Sequence, residues 1–91
     1  MIKKNISLSN KLGLHARAAA KLVSTAERFS AEVYLNRMDN GMIASAKSIM
    51  GLMMLSASCG TPLTLSAEGE DAEKALLSVI HLIEKKFGEE E

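Results

Sequence analysis

The residues best suited to chemistry are a histidine and an arginine that lie two positions apart, His15 and Arg17. A neutral imidazole can attack phosphorus and form a covalent phosphohistidine. Arginine has a permanent charge and a forked set of donors that fits phosphate oxygens. The neighbouring side chains are small, so that a partner protein can approach the ring closely: Ala16, Ala18, Ala19 and Ala20. We therefore predict that His15 carries a phosphoryl group. The alternative is an ordinary surface or helix-capping histidine.

His15 stands where a loop becomes a helix. Residues 16–29 are rich in alanine, which favours helix formation. Four apolar residues recur at i, i+3, i+4 and i+7 and predict the buried face of this helix: Ala19, Leu22, Val23 and Ala26. The first turn of a helix has backbone N–H groups without intrahelical partners, and the helix dipole is positive there. An anion carried on His15 would therefore be stabilised.

Strands are predicted where apolar and polar residues alternate. The segments with this pattern are residues 2–8, 31–38, 42–46 and 63–67. In the second of them, Val33 and Leu35 point inward. Asp39, Asn40 and Gly41 separate the second and third segments. Because Asn-Gly tolerates the positive φ of a tight turn, this pair predicts a hairpin.

Two further helices complete the pattern. Ser48 is predicted to cap a short helix that runs from Ile49 to about Leu55. The last helix begins after residues 69–71, and its apolar stripe comprises Ala72, Ala75, Leu76, Val79, Ile80 and Ile83. The element order is therefore β-α-β-β-α-β-α. We expect an α+β fold, a two-layer sandwich with the helices on one side of the sheet.

Length and composition set the class of protein. The 91 residues predict a single domain over residues 1–88, followed by an acidic, frayed tail at residues 89–91. Eleven basic residues balance eleven acidic ones, which argues against general nucleic-acid binding. Cys59 is the single cysteine, so that neither a disulfide nor a thiolate cluster forms within one chain. The absence of a long apolar run predicts a soluble, cytoplasmic protein.

Two segments resemble the HPr family, the histidine phosphocarriers of the bacterial sugar phosphotransferase system. One resembles the active-site segment of the family and reads Leu12-Gly13-Leu14-His15-Ala16-Arg17-Ala18-Ala19. The other resembles its regulatory-serine segment and reads Ala46-Lys47-Ser48-Ile49-Met50-Gly51-Leu52-Met53. Both occur in the family's order and at about its spacing. Since the predicted element order matches too, the resemblance covers nearly the whole chain.

The resemblance implies a four-stranded antiparallel sheet in the order 1-4-2-3 under three helices. Enzyme I, phosphorylated from phosphoenolpyruvate, would phosphorylate Nδ1 of His15, and an enzyme IIA domain would receive the group. The side chain of Arg17 would hold the phosphoryl oxygens, together with the backbone N–H groups of Ala16 and Arg17. The protein would be a monomeric, stoichiometric carrier and not an enzyme. It would need no cofactor or metal, bind no nucleic acid and not insert into a membrane. Ala18 replaces the proline of many family members, which predicts a slightly less rigid first turn.

The resemblance also gives Ser48 a regulatory role. HPr kinase/phosphorylase would phosphorylate it, which would slow transfer to His15 and favour binding to transcriptional regulators. An HPr-like regulatory protein is therefore the alternative function: either a nitrogen-branch phosphocarrier or a co-regulator acting through phosphorylated Ser48. A third hypothesis is a small α+β ligand-binding domain that does not transfer phosphoryl groups.

A docking surface is predicted around the second helix. A helix of two turns buries one stripe, for which Leu52 and Leu55 are suited. The remaining apolar residues would form an exposed patch that adapts to several partners, unless the helix is buried all round. Three basic residues are predicted to lie on one side of the first helix, namely Arg17, Lys21 and Arg28. Together with Lys47 they would surround this patch and steer acidic partners, or else form a solvated face. The predicted docking residues are Ala20, Lys21, Arg28, Lys47, Ile49, Met50 and Met53.

Overall fold

The computed structural model describes residues 1–89, and its elements follow the predicted order. The strands are β1 (Ile2–Ser7), β2 (Glu32–Arg37), β3 (Ile43–Ser45) and β4 (Pro62–Glu68). The helices are α1 (Ala16–Ala26), α2 (Ile49–Met54) and α3 (Ala72–Glu84), and a 3₁₀ turn over Lys86–Gly88 follows the last one. No helix in this part of the chain is both long and apolar enough to cross a lipid bilayer.

The strands of residues 1–89 form one antiparallel sheet in the order β1-β4-β2-β3. This order confirms the topology that the resemblance implies. Side chains alternate between the two faces of a strand. In β4, Leu63, Leu65 and Ala67 are buried, whereas Thr64 and Ser66 are half-buried on the other face. The helices therefore cover one face, and the other face remains open.

The predicted apolar stripes form the core between the sheet and the helices. All four predicted residues of α1 are buried, and Val33 and Leu35 of β2 are buried as well. In α3, four of the stripe residues are buried, and Ala72 and Ile80 pack against the core while partly exposed. A fully buried leucine or valine contributes about 1.5–3 kcal/mol relative to an exposed one. These stripes fix α1 on the sheet and thereby fix its N-terminus.

Helix α1 ends three residues before the predicted Phe29. Glu27 is its C-cap, and the N–H groups of Arg28 and Phe29 donate to carbonyls three residues back, at 3.2 and 3.1 Å. These shorter-range hydrogen bonds tighten the last turn and end the α-helix. The side chain of Phe29 then packs, partly buried, against the core, and the chain continues into β2. The prediction that Arg28 lies on the first helix is therefore wrong.

The predicted hairpin turn joins β2 and β3. Gly41 has φ +74°, and the N–H of Arg37 donates to the carbonyl of Met42 at 2.7 Å. The guanidinium of Arg37 also donates to the carbonyls of Leu55 and Ser56, at 2.8 and 3.1 Å. Arg37 thereby holds the C-terminal end of α2 against the sheet.

Asp71 links the start of α3 to the connection between α1 and β2. Its carboxylate accepts hydrogen bonds from the backbone N–H groups of Ser30 at 3.1 Å and Ala31 at 2.8 Å. Desolvation acts to raise the pKa of Asp71, but the hydrogen bonds from Ser30 and Ala31 favour the charged form, and the pKa is lowered on balance. The charged carboxylate therefore stabilises the folded chain.

Asp71→Ala is expected to lower the free energy of unfolding at pH 7, because two backbone donors lose their acceptor. The folded-state pKa lies below the unfolded value of about 3.9. The contribution of Asp71 is thus complete above that pH and is lost as the pH falls through the folded pKa. Urea unfolding at pH 7 and pH 2 checks this, and the difference from wild type should shrink at pH 2. Glu70→Ala is the control, since Glu70 is exposed; an equal loss at pH 7 in that variant would contradict the role of Asp71.

Candidate functional site

His15 is the N-cap residue of α1, at the position that the sequence predicts. Its backbone is extended, with φ −84° and ψ 178°, and its carbonyl accepts from the N–H of Ala19 at 2.8 Å. The imidazole makes no capping hydrogen bond to the helix. The side chain is 27% exposed, so that a partner can reach the ring.

The loop before His15 is held by backbone hydrogen bonds and by a buried asparagine that the sequence analysis missed. The N–H of Leu14 donates to the carbonyl of Ala57 at 2.9 Å. The side-chain amide of Asn10, which is fully buried, donates to the carbonyl of Gly13 at 2.7 Å. Gly13 has φ +67°, a conformation that glycine adopts at little cost. Asparagine three residues before a glycine is a turn signal that would have pointed to this contact.

Arg17 lies in the first turn of α1 with an exposed side chain. Within residues 1–89, its guanidinium forms no hydrogen bond or ion pair. Arg17 borders a shallow depression together with Leu12, His15 and Ala16. The structure thus brings the two predicted site residues together beside the first-turn N–H groups of α1. An anion placed there meets a fixed positive charge and the positive end of the helix dipole.

Glu89 also borders this depression, although the sequence places it in the frayed tail. One carboxylate oxygen contacts Nε2 of His15, and the other accepts from the side-chain amide of Asn10 at 3.1 Å. The hydrogen bond with His15 lowers the pKa of Glu89, while desolvation acts to raise it and the Asn10 amide adds to the lowering. No sequence signal predicts this contact, because terminal glutamates are usually solvated. Residues 90–91 of the predicted tail lie outside the described residues.

Ser48 is the N-cap of α2, as predicted. Its Oγ accepts a hydrogen bond from the N–H of Gly51 at 3.0 Å. The residue itself is partly exposed. Helices α1 and α2 pack against each other, so that Ser48 and His15 belong to the same helical layer.

The apolar patch of α2 consists of three residues that point away from the core. Leu52 and Leu55 are buried, as predicted. These patch residues are Ile49, Met50 and Met53, whose exposed fractions are 47%, 75% and 40%. A helix buried all round is therefore excluded. Met54 adds a further exposed side chain to this region.

Two of the predicted basic docking residues are held by backbone carbonyls. Nζ of Lys21 donates to the carbonyl of Phe87 at 2.6 Å. Nζ of Lys47 donates to the carbonyl of Phe29 at 3.0 Å and lies 3.9 Å from Oε2 of Glu32. Lys21 is thus directed toward the C-terminal segment, while Lys47 stays beside α2.

The other potentially reactive side chains lie apart from this depression. Arg28 and His81 border a separate groove between α1 and α3, together with Lys85. Cys59 is an exposed free thiol. Within residues 1–89, no group of three or more His, Cys, Asp or Glu side chains is arranged to hold a metal ion. The depression beside His15 is therefore the candidate site.

Comparison with known families now decides the class of protein. Residues 2–85 match the PTS-HPr family, described as the PTS HPr component phosphorylation site. The chain belongs to the HPr family. The phosphocarrier protein HPr of Cupriavidus necator is 45% identical over 91 residues, which is the full length of both chains. The crystal structure of HPr-C-His from Thermoanaerobacter tengcongensis superposes with a TM-score of 0.93, at 46% identity over 100% of both chains.

A differently named relative also matches this HPr-family chain. The phosphocarrier protein NPr of Shewanella violacea is 41% identical over 88 residues, which cover 97% of this chain and 94% of that protein. The HPr family and its open-faced fold, both predicted from the sequence, are thus confirmed.

Proposed function

We propose that this protein accepts a phosphoryl group on Nδ1 of His15 from enzyme I and passes it to an enzyme IIA domain. The observation that carries the proposal is the partly exposed imidazole of His15 at the N-terminus of α1, in a chain of the HPr family. It would act as a stoichiometric carrier and not as a catalyst. The relatives with the names HPr and NPr support the phosphocarrier class.

The depression beside His15 suits the phosphorylated form. The lone pair of Nδ1 forms the new N–P bond while the bond from phosphorus to the donor breaks, and the donor keeps that electron pair. The guanidinium of Arg17 has no hydrogen-bond or ion-pair partner among residues 1–89 and can donate to two phosphoryl oxygens. The backbone N–H groups of residues 16 and 17 lie in the first turn of α1, where N–H groups lack helical partners. The carrier itself would use no metal or cofactor.

The surface beside His15 suits docking on unlike partners. Ala20 of α1 is exposed and small, so that a partner backbone can approach the helix. The apolar patch of α2 contains two methionines, whose flexible side chains fit differently shaped surfaces. Lys47 and the more distant Lys21 and Arg28 would attract acidic partners. We place this carrier in the cytoplasm as a monomer, without a nucleic-acid or membrane partner.

Incubation with phosphoenolpyruvate and enzyme I tests the function directly. We expect one phosphoryl group per chain, bound through a linkage that is labile to acid and stable to base, as expected of phosphohistidine. The label should then move to an added enzyme IIA domain. A chain that takes up no label from phosphorylated enzyme I would contradict the proposal.

We also propose regulation through Ser48. The position of Ser48 supports the second candidate function, a co-regulator that acts through phosphorylated Ser48, whereas the relative with the name NPr fits the other alternative, a nitrogen-branch carrier. Ser48 is partly exposed at the start of α2, next to the apolar patch. A phosphate on Oγ would add about two negative charges beside the surface that docks enzyme I. Transfer to His15 would then fall, and binding of regulatory proteins would rise.

Ser48→Ala is expected to remove the acid-stable label that HPr kinase and ATP introduce, because Oγ is the acceptor. It should also cost about 1 kcal/mol of stability, since the N–H of Gly51 loses its capping partner. Ser45→Ala is the matched control, because Oγ of Ser45 likewise accepts a backbone N–H, that of Lys47, at 3.1 Å. Unchanged acid-stable labelling of the Ser48→Ala chain would refute the assignment.

A further inference from the structure

The carboxylate of Glu89 is the only acidic group of residues 1–89 that contacts the imidazole of His15. It meets the ring at Nε2, the nitrogen that the proposed phosphoryl transfer does not use. The second carboxylate oxygen accepts from the fully buried Asn10, which also holds the carbonyl of Gly13. One asparagine therefore fixes both the loop before His15 and the carboxylate beside its ring.

The segment that delivers Glu89 to the ring is built with backbone strain. Lys86, Phe87 and Gly88 all have positive φ, of 57°, 57° and 77°. Positive φ is unfavourable for residues with a Cβ and persists where the surrounding structure enforces it. This reversal carries the chain from the end of α3 back toward α1.

Two contacts enforce the reversal. The side chain of Phe87 is 1% exposed and belongs to the core. The carbonyl of Phe87 accepts a hydrogen bond from Nζ of Lys21 at 2.6 Å, which ties the segment to α1. Glu89 follows two residues later, and its N–H donates to the carbonyl of Lys86 at 2.9 Å. The position of the carboxylate thus follows from a buried anchor and from hydrogen bonds along the segment.

We infer that Glu89 is a positioning residue for phosphoryl transfer: its carboxylate accepts the N–H of Nε2 and leaves the lone pair of Nδ1 free to attack. This inference rests on the proposed function of His15. A carboxylate that receives one ring N–H selects the tautomer and orients the ring. When Nδ1 bonds to phosphorus, the ring gains a positive charge while Nε2 keeps its proton. The carboxylate of Glu89 faces that developing charge and stabilises it.

Glu89→Ala separates this inference from a merely structural role. We expect phosphoryl transfer from enzyme I to slow by about 10-fold, as for loss of other residues that orient a functional histidine. In ¹⁵N NMR spectra of the His15 ring, a population protonated on Nδ1 should appear. Glu89→Gln keeps a carbonyl acceptor, so it should retain the Nε2–H form while still losing part of the rate. Glu84→Ala is the control, since Glu84 is exposed at the end of α3.

The transfer rate and the ring spectra of Glu89→Ala each test the role of Glu89. An unchanged or faster transfer rate in Glu89→Ala would overturn it, since the carboxylate would then be idle or obstructive. Unchanged ring spectra in Glu89→Ala would overturn it as well. The ring spectra need no phosphoryl donor, so they test the contact between Glu89 and His15 on their own. A wild-type chain that accepts no label would contradict the proposed function and not the role of this contact.

Discussion

His15→Ala is expected to abolish phosphoryl transfer from enzyme I. The variant lacks the only proposed nucleophile, and Arg17 with the first turn of α1 can stabilise a phosphoryl group but cannot bond to it. The fold should remain, because the imidazole makes no capping hydrogen bond and lies partly exposed. Since the ring also contacts the carboxylate of Glu89, the free energy of unfolding should fall by about 0.5–1.5 kcal/mol, as for loss of a single hydrogen bond. Acid-labile incorporation from phosphoenolpyruvate measures the transfer, and urea unfolding measures the stability.

The second histidine provides the matched control for this experiment. His81 is exposed on α3 and borders a groove that does not include His15. His81→Ala should therefore accept label at the wild-type rate. If instead the His15→Ala chain were labelled and the His81→Ala chain were not, the site would lie in the groove between α1 and α3.

Gly13→Ala is expected to damage both stability and transfer. A Cβ on Gly13 would lie 2.6 Å from the carbonyl oxygen of Ala57 and 2.7 Å from Cα of Ser58. Both atoms belong to backbone, so that a side chain cannot simply move aside. The left-handed conformation costs about 1–2 kcal/mol for an L-residue, and overpacking adds about 1–3 kcal/mol. The loop before His15 must therefore shift or remain strained.

The functional loss in Gly13→Ala follows from the same displacement. Misplacing a reactive group by about 1 Å can slow a reaction by roughly 100-fold. We expect a loss of this size in phosphoryl transfer, measured on folded protein at saturating phosphorylated enzyme I. Gly60→Ala is the control, because Gly60 has φ +89° but no atom near the added Cβ. Gly60→Ala should lower the free energy of unfolding by about 1–2 kcal/mol and leave the transfer rate unchanged. Equal losses of transfer rate in the two variants would show that backbone conformation, and not the clash at Gly13, limits transfer.

Most of the fold could be predicted because it is encoded in local periodicity. Alternation of Leu63, Leu65 and Ala67 with polar residues predicted a strand with one buried face, and that face is buried. The sheet order depended instead on the resemblance to a family, since pairing between distant strands leaves no local pattern. The end of α1 was misplaced because no glycine or proline marks it, and packing of Phe29 against the core decides it.

The candidate site shows the same division between local and distant contacts. His15, Arg17 and the first turn of α1 are neighbours in the chain, so that the local sequence predicts them together. The contact between Glu89 and His15 joins residues 74 positions apart, and that between Glu89 and Asn10 joins residues 79 apart. Such contacts depend on how α3 returns to α1 and on the reversal at Phe87. The sequence alone contains no pattern that specifies this path.

The open face of the sheet determines how these variants can be observed. The chain has no tryptophan and one tyrosine, Tyr34. Tyr34 lies half-buried on that uncovered face, opposite Ser45 of β3 and Ser66 of β4. Its intrinsic fluorescence therefore reports loss of the strand layer during unfolding, and the sheet lies between this ring and the helical layer that contains His15. The unmodified chain thus contains an optical probe of stability on the side of the sheet that faces away from the candidate site.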